Sequence, residues 1–459
     1  MSLTGLDGVV AASGGDGHRT LLRNAVVLSM DPDVGDFEAG DVLIEGSSIL
    51  AVGEALQADA AEVDCSGCIV MPGFVNSHHH TFQTALRSYW TDALAVDYFT
   101  ASRQGERAVF HVYEPSDVYW GEYAGALEQL NAGTTTVVDT SQCTATPQHT
   151  DAAIEGLIHS GVRAVYAYSP KAHGSTPRPE YAFPQDVRRI REQFFASNDQ
   201  LVTLAFGSPA LLVNWKLARE LNLPIFSHVN DVGAGLQVEQ LSKVGLAGSW
   251  NTYIHCTGLA ESTWQMFAET GGKVSLSSVV EQTLCTGMPG MQAAMDHGIQ
   301  PSFSTDAVSL GPTDFFSQIR AAYALQRSRL QERAIAGESP IPDYLSTRDI
   351  LRMATIEGAR AAHLDHKVGS LTPGKQADVL VLNTKTLNAA PLNHASGAVV
   401  ALMDTSNVRT VIVAGKIVKW EGELVGVDVG HVVNELEKSA TGLLERSEYP
   451  NLLLTSCRS

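Results

Sequence analysis

Apolar and polar positions follow two different rhythms along this chain, and the change of rhythm divides it. From Leu21 to about Val63, short β-rich segments (LLRNAVVLSM, GDVLIEG and SSILAVG) are separated by Asp, Gly and Pro turns, the pattern of a small sheet. From Ile69 the text becomes apolar runs of four to seven residues alternating with helical stretches, as parallel strands covered on both faces read. Eight such runs stand out: IVMPGFV, GTTTVVDT, VRAVYAYS, LVTLAFG, LPIFSHV, NTYIHCT, KVSLSSVV and QPSFSTD. Eight strands with intervening helices predict an α/β fold, a (β/α)8 TIM-like barrel. Periodicity alone also allows a doubly wound sheet. After a helical region ending near Leu364, VGSLTPGKQADVLVLN and VRTVIVAGKIVKWEGELV return to short strands, so both chain ends are expected to share a small β-sandwich. The expected boundaries are a flexible tail over 1–17, a composite sandwich over 18–68 and 366–425, a barrel over 69–365 and a C-terminal helical segment over 426–459.

A length of 459 residues suits one large domain with a smaller companion. No apolar run approaches the roughly 18 residues that a membrane span requires. Residues 1–17 lack the basic and apolar regions of a signal peptide, so a cytoplasmic location is expected. A net charge of −19 opposes binding to nucleic acid or anionic membrane, leaving a small molecule as the expected partner. Six cysteines are too few for a disulfide framework in so long a chain. Cys65 and Cys68 in CSGC have no second pair at zinc-site spacing and read as two thiols near a strand edge.

Chemistry concentrates in NSHHHTFQ, directly after the first barrel run. Side chains alternate along a strand, so His78 and His80 share one face while His79 takes the other. In a parallel barrel the C-terminal strand ends meet at one face, where the catalytic groups of this architecture gather. Three further residues close strand-like runs: His228 in PIFSHV, His255 in TYIHC and Asp306 in PSFSTD. Imidazoles with one carboxylate suit zinc, and also ferrous iron, and a metal so held acidifies water toward a pKa of about 7. Hydrolysis is the expected chemistry. Asp231, three residues beyond His228, is the expected proton shuttle; a capping role at the start of the next helix is the alternative.

These residues resemble the amidohydrolase superfamily, in the style of its cytosine deaminase, S-adenosylhomocysteine deaminase and triazine hydrolase branch. PGFVNSHHH is similar to that branch's Pro-Gly-x-x-Asn-x-His-x-His, SHVND to its His-x-x-Glu, IHCTGL to its strand-six histidine and STDA to its Thr-Asp. The resemblance runs from about Leu21 to Val425. It implies a barrel flanked by a β-sandwich and one divalent metal, Zn2+ or Fe2+, held by His78, His80, His228 and Asp306. His255 would act beside the metal as a catalytic residue with possible ligation, and Asp306 would serve in catalysis as well as ligation. Two-metal relatives carry a carboxylated lysine or a glutamate at the end of strand four; LVTLAFGSPALL has neither. The sequence departs from the pattern at Asp231, which stands for the usual glutamate, and at SLSSVVEQ, which loses a histidine and brings in Glu281. Family habit implies a dimer or tetramer.

The connection after strand one is dense in aromatic residues, among them Trp90, Tyr98 and Phe99, and loops on that barrel face usually build the substrate site. Gln83, Trp90 and Glu281 are the expected substrate contacts. The function expected is hydrolytic removal of an amino or alkylamino group from a nitrogen heterocycle. The alternatives are an amide, urea or carbamate hydrolase or a hydrolytic dehalogenase on the same site, and a degenerate member that binds ligand without turnover.

Overall fold

The computed structural model describes residues 3–170 and 183–454, with side chains from Gly8 onward. The first residues of the expected tail and the last of the C-terminal segment therefore lie outside the described residues.

Eight strands join in chain order into one sheet: Phe74–His79, Thr134–Ser141, Arg163–Tyr168, Val202–Gly207, Ile225–Val229, Asn251–His255, Lys273–Leu276 and Ser302–Phe303. The eighth returns to the first. His79 bridges Asp306 in parallel, the His80 amide donates to the Asp306 carbonyl at 2.7 Å, and the Asp306 amide donates to the His78 carbonyl at 3.2 Å. This closure makes the (β/α)8 barrel and excludes the doubly wound sheet. The first three strands are buried along their whole length, as parallel strands between helices and interior must be. Inside the barrel runs a chain of serine hydroxyls: Ser77 and Ser275 lie 2.8 Å apart, Ser302 bonds Ser77 at 2.8 Å, and Ser277 and Ser304 lie 2.7 Å apart.

Two of the eight sequence runs divide where local chemistry divides them. IVMPGFV breaks at Gly73: Cys68–Pro72 joins the small sheet and Phe74–His79 begins the barrel. A Cβ at Gly73 would lie 2.0 Å from Thr135 Oγ1, so no larger residue passes there without moving its neighbour. KVSLSSVV stops being a strand at Leu276, and Ser278–Thr283 is a helix, which lifts Glu281 off the strand and onto the loop face.

The chain gathers into two compact units. One comprises residues 1–76, 129–136 and 314–427, the other residues 77–128, 137–313 and 428–459. Both chain ends contribute to the nine-stranded mixed sheet of the first unit, where Val379–Asn383 pairs antiparallel with Cys68–Pro72 and Arg19–Val27 pairs antiparallel with Phe37–Glu45. Its core includes Leu22, Val42, Ile44, Val70, Val379 and Ile412, together with Cys65 and Cys68. Burial pushes the Cys65 thiol up to about 12, the state of an inert core thiol. Within the segment expected as a flexible tail, Leu3–Ala12 is a helix, with Val9 in that core and Val10 packed against it. In the second unit, the helix Val429–Ser447 is capped by Asp428 and held through Ser439 Oγ, which donates to Asp117 at 2.7 Å. Among the described residues, no helix is long and apolar enough to cross a membrane.

Candidate metal centre and active site

Strand alternation and strand pairing bring five side chains together. His78 and His80 close strand one on the same face, with ring centroids 4.7 Å apart, while His79 turns away to Thr305 Oγ1 at 3.0 Å. His228 ends strand five and His255 ends strand six, whose register sets Val229 opposite His255. The His228 ring lies 4.8 Å from that of His78 and 5.3 Å from that of His255. Asp306 follows strand eight; its Oδ1 is 3.3 Å from His78 Nε2 and 3.5 Å from His80 Nε2, and its Oδ2 is 3.9 Å from His255 Nε2. His255 and Asp306 both adopt left-handed backbone, with φ of 68° and 58°. Such geometry costs an L-residue about 1–3 kcal/mol and persists where surroundings enforce it, commonly at functional sites.

One ligand atom from each of His78, His80 and His228 falls within 4.8 Å of the others, and the same holds for His78, His255 and Asp306. The protonation states suit a cation. Burial, reinforced by neighbouring imidazoles, holds His78, His80 and His228 well below the ordinary imidazole value, so they stay neutral with a lone pair to offer. Burial opposes the charge on Asp306, yet His255, His80 and His228 outweigh it and keep the carboxyl below its usual range. Thr140 orients two of the rings: its Oγ1 lies 3.0 Å from His78 Nδ1, and its carbonyl accepts from His80 Nδ1 at 2.8 Å, so that the Nε2 of each ring faces Asp306. Behind them Asp139 accepts the Thr81 amide at 3.1 Å and fixes the chain leaving His80; its burial pushes it up to about 7. Three neutral imidazoles and an ionised carboxylate are a donor set for a divalent metal.

His255 behaves differently. Burial lowers its pKa, but a hydrogen bond to Glu281 Oε1 at 3.2 Å and the Asp306 charge outweigh burial and hold it above the ordinary value. Glu281, itself raised by burial, also accepts the Ser277 amide at 2.7 Å, and its Oε2 is buried without a hydrogen-bond partner. The two form a coupled pair beside Asp306.

The cavity above this cluster is walled by His80, His228, His255, Glu281 and Asp306, with Tyr98, Phe99, Arg103, Asn230, Val280, Leu284 and Thr286. The structure places three of the expected site residues away from the cavity wall. Asp231 is exposed and does not line the cavity; its Oδ1 accepts the Ala234 amide at 2.7 Å as the N-cap of helix Val232–Ser242. Exposed helix N-termini need such a cap, and a short Asp satisfies it where it stands. Trp90 is 1% exposed and packs on Tyr98 and Phe110, at 5.3 and 6.1 Å between centroids, so it is core. Gln83 is fully buried and spends its amide on Tyr98 Oη and Ser309, at 3.0 and 2.6 Å. Both sit behind Tyr98. Glu281 alone of the expected contacts lines the cavity. Sequence reasoning missed Arg103, whose only signal was a cation among aromatics in the strand-one connection.

Asp231→Asn is accordingly expected to keep the cap and to hold kcat within about threefold of the parent, since Asn caps as well as Asp. A hundredfold loss in a steady-state assay would return the shuttle to Asp231.

A parallel barrel with histidines at the ends of strands one, five and six and an aspartate after strand eight defines a metal-dependent hydrolase. The chain belongs to the Amidohydrolase family, which matches residues 69–418. It is 27% identical over 446 residues to a 5'-deoxyadenosine deaminase of Methanosarcina mazei, covering 93% of this chain and 98% of that one. Against a 5-methylthioadenosine/S-adenosylhomocysteine deaminase of Desulfitobacterium hafniense it is 27% identical over 450 residues, covering 93% and 99%. Two solved structures share the fold: an adenosine deaminase from Xanthomonas campestris with bound zinc (TM-score 0.80, 23% identity, 94% of this chain and 99% of that one) and an atrazine chlorohydrolase from Arthrobacter aurescens complexed with zinc (TM-score 0.79, 21% identity, 92% and 100%).

Proposed function

We propose that the protein is a zinc-dependent aminohydrolase that removes an amino or alkylamino group from a small nitrogen heterocycle. The observation that carries this reading is the convergence of His78, His80, His228 and Asp306 under a cavity that also holds the His255–Glu281 pair. Deaminase relatives along 93% of the chain supply the leaving group. Ferrous iron would suit the same donors, and the absence of a carboxylate or lysine from strand four, Val202–Gly207, favours one metal.

A divalent metal held by these four residues supplies Lewis acidity and a nucleophile from water near neutral pH. The remaining work falls to the chain. Asp306, kept ionised by the imidazoles around it, accepts the proton that water gives up. His255, its Nδ1–H held by Glu281, presents Nε2–H to the oxygen of the tetrahedral adduct and steadies the charge that develops there. Asp306 then returns that proton to the departing nitrogen, which leaves as ammonia or amine. Glu281 Oε2, buried without a hydrogen-bond partner, would accept an N–H from the substrate ring.

Metal analysis of the purified chain, with ammonia release scored across a panel of aminated purines, pyrimidines and triazines, tests the reading. About one zinc per chain and ammonia from a panel member are expected. A metal-loaded enzyme that releases none while cleaving an amide, urea, carbamate or carbon–halogen bond would move the function to those reactions.

A further inference from the structure

Neither the metal cluster nor the proton relay accounts for Arg103. It lies on the short helical turn Thr100–Gln104 and reaches the cavity wall with its guanidinium carbon 5.6 Å from the ring centroid of Tyr98, 5.1 Å from Phe99 and 5.7 Å from Phe110. Its Nη2 donates to Tyr98 Oη at 3.3 Å, and its Nε is buried without a hydrogen-bond acceptor. No carboxylate among the described residues forms an ion pair with it, in a chain that has 50 acidic residues against 31 basic ones and pairs Arg87 with Glu128 and Arg189 with Asp186. The cavity's own carboxylates are committed elsewhere, Asp306 to the histidines and Glu281 to His255.

Aromatic rings hold the guanidinium in place at the cavity wall, but they bring it no counter-charge. Tyr98 adds a second donor. Its oxygen accepts from both Arg103 and Gln83 Nε2, the latter at 3.0 Å, so its own hydrogen is directed away from them. Gln83 cannot easily turn, since Ser309 donates to its Oε1 at 2.6 Å. Burial raises the Tyr98 pKa, which keeps the hydroxyl protonated. A planar guanidinium and a hydroxyl donor on the wall of one cavity match the two oxygens of a carboxylate.

We propose that the substrate carries a carboxylate that binds Arg103 and Tyr98 Oη while its amino-bearing carbon faces His255 and Asp306. The second half of that placement rests on the aminohydrolase reading; the anion site does not. A phosphate offers the same oxyanion chemistry, and the test separates the two.

The zinc-loaded full chain is titrated calorimetrically with matched sets, each a neutral aminated heterocycle beside its carboxylated and phosphorylated forms: cytosine, 5-carboxycytosine and cytidine 5'-monophosphate; adenine, 9-carboxymethyladenine and adenosine 5'-monophosphate. Ammonia release is followed in parallel. The carboxylated member of at least one set is expected to bind about tenfold or more tightly than its neutral parent, and Arg103→Met to abolish that preference while keeping zinc and neutral-ligand affinity. Arg103→Lys retains part of it, and Tyr98→Phe loses about threefold to tenfold, mainly in KM. No anion preference in the parent enzyme, or a preference unchanged in Arg103→Met, overturns the proposal, and a preference confined to the phosphorylated members overturns the carboxylate assignment. Ammonia from neutral members without anion preference sinks the Arg103 site and leaves the aminohydrolase reading intact. Arg103-dependent anion binding without ammonia does the reverse.

Discussion

His228→Ala is expected to strip the metal and to cost a thousandfold or more in kcat, about 4 kcal/mol of barrier. His228 ends strand five across from the His78 and His80 rings, at 4.8 and 5.6 Å between centroids, so its imidazole completes the ring of neutral donors around the Asp306 side of the cavity. Removing it takes away one of four protein donors and leaves a position that only water can fill, which weakens the hold on the metal enough for dialysis to remove it. The fold should survive, because His228 is half-buried at the strand end and the barrel is closed elsewhere through His79 and Asp306. Elemental analysis after dialysis and a thermal melt read the two effects separately. A variant that keeps stoichiometric zinc would remove His228 from the ligand set.

Glu281→Gln should keep the metal and lose about a hundredfold to a thousandfold in kcat, the size expected when a positioned acid–base group is disabled. The substitution is nearly isosteric and retains an oxygen for the Ser277 amide, so a purely structural role predicts little change. Its effect on pH dependence is the sharper readout. His255 stands above its ordinary value because Glu281 and Asp306 favour the cation more than burial opposes it. Loss of the Glu281 charge lowers that pKa. A step that needs protonated His255 is present below the pKa and lost as pH rises through it, so the alkaline limb of the kcat profile should move to lower pH in the variant. An unshifted limb would mean that the protonated form of His255 is not what the rate depends on.

Legibility followed the range over which each feature is determined. The two rhythms of apolar residues announced a barrel and a sheet built from both ends, because strand burial on one or two faces is written residue by residue. The placement of His78 and His80 on one face is likewise local. His228, His255 and Asp306 were readable as strand ends, and barrel closure then brings strand ends together whatever the loops do. The residues that the structure places away from the cavity are those whose partners lie far along the chain or in the next turn. Asp231 has the spacing of a shuttle, but the nearest orphan amide, Ala234 N, claims its carboxylate. Trp90 and Gln83 belong to an aromatic-rich connection whose path decides which side chain faces in; the loop folds so that they stand behind Tyr98 while Arg103 reaches the wall.

Sequence by itself thus determined the strand-like runs and the donor chemistry at their ends, set by backbone periodicity and side-chain type, while the closure of the sheet and the breaks at Gly73 and Leu276 came from the tertiary structure. Only the tertiary structure decided which carboxylate meets His255 and which cation enters the cavity. Both choices depend on competition for hydrogen-bond partners and on desolvation, and these are settled by neighbours from Gln83 to Asp306 that the linear text holds more than 200 residues apart.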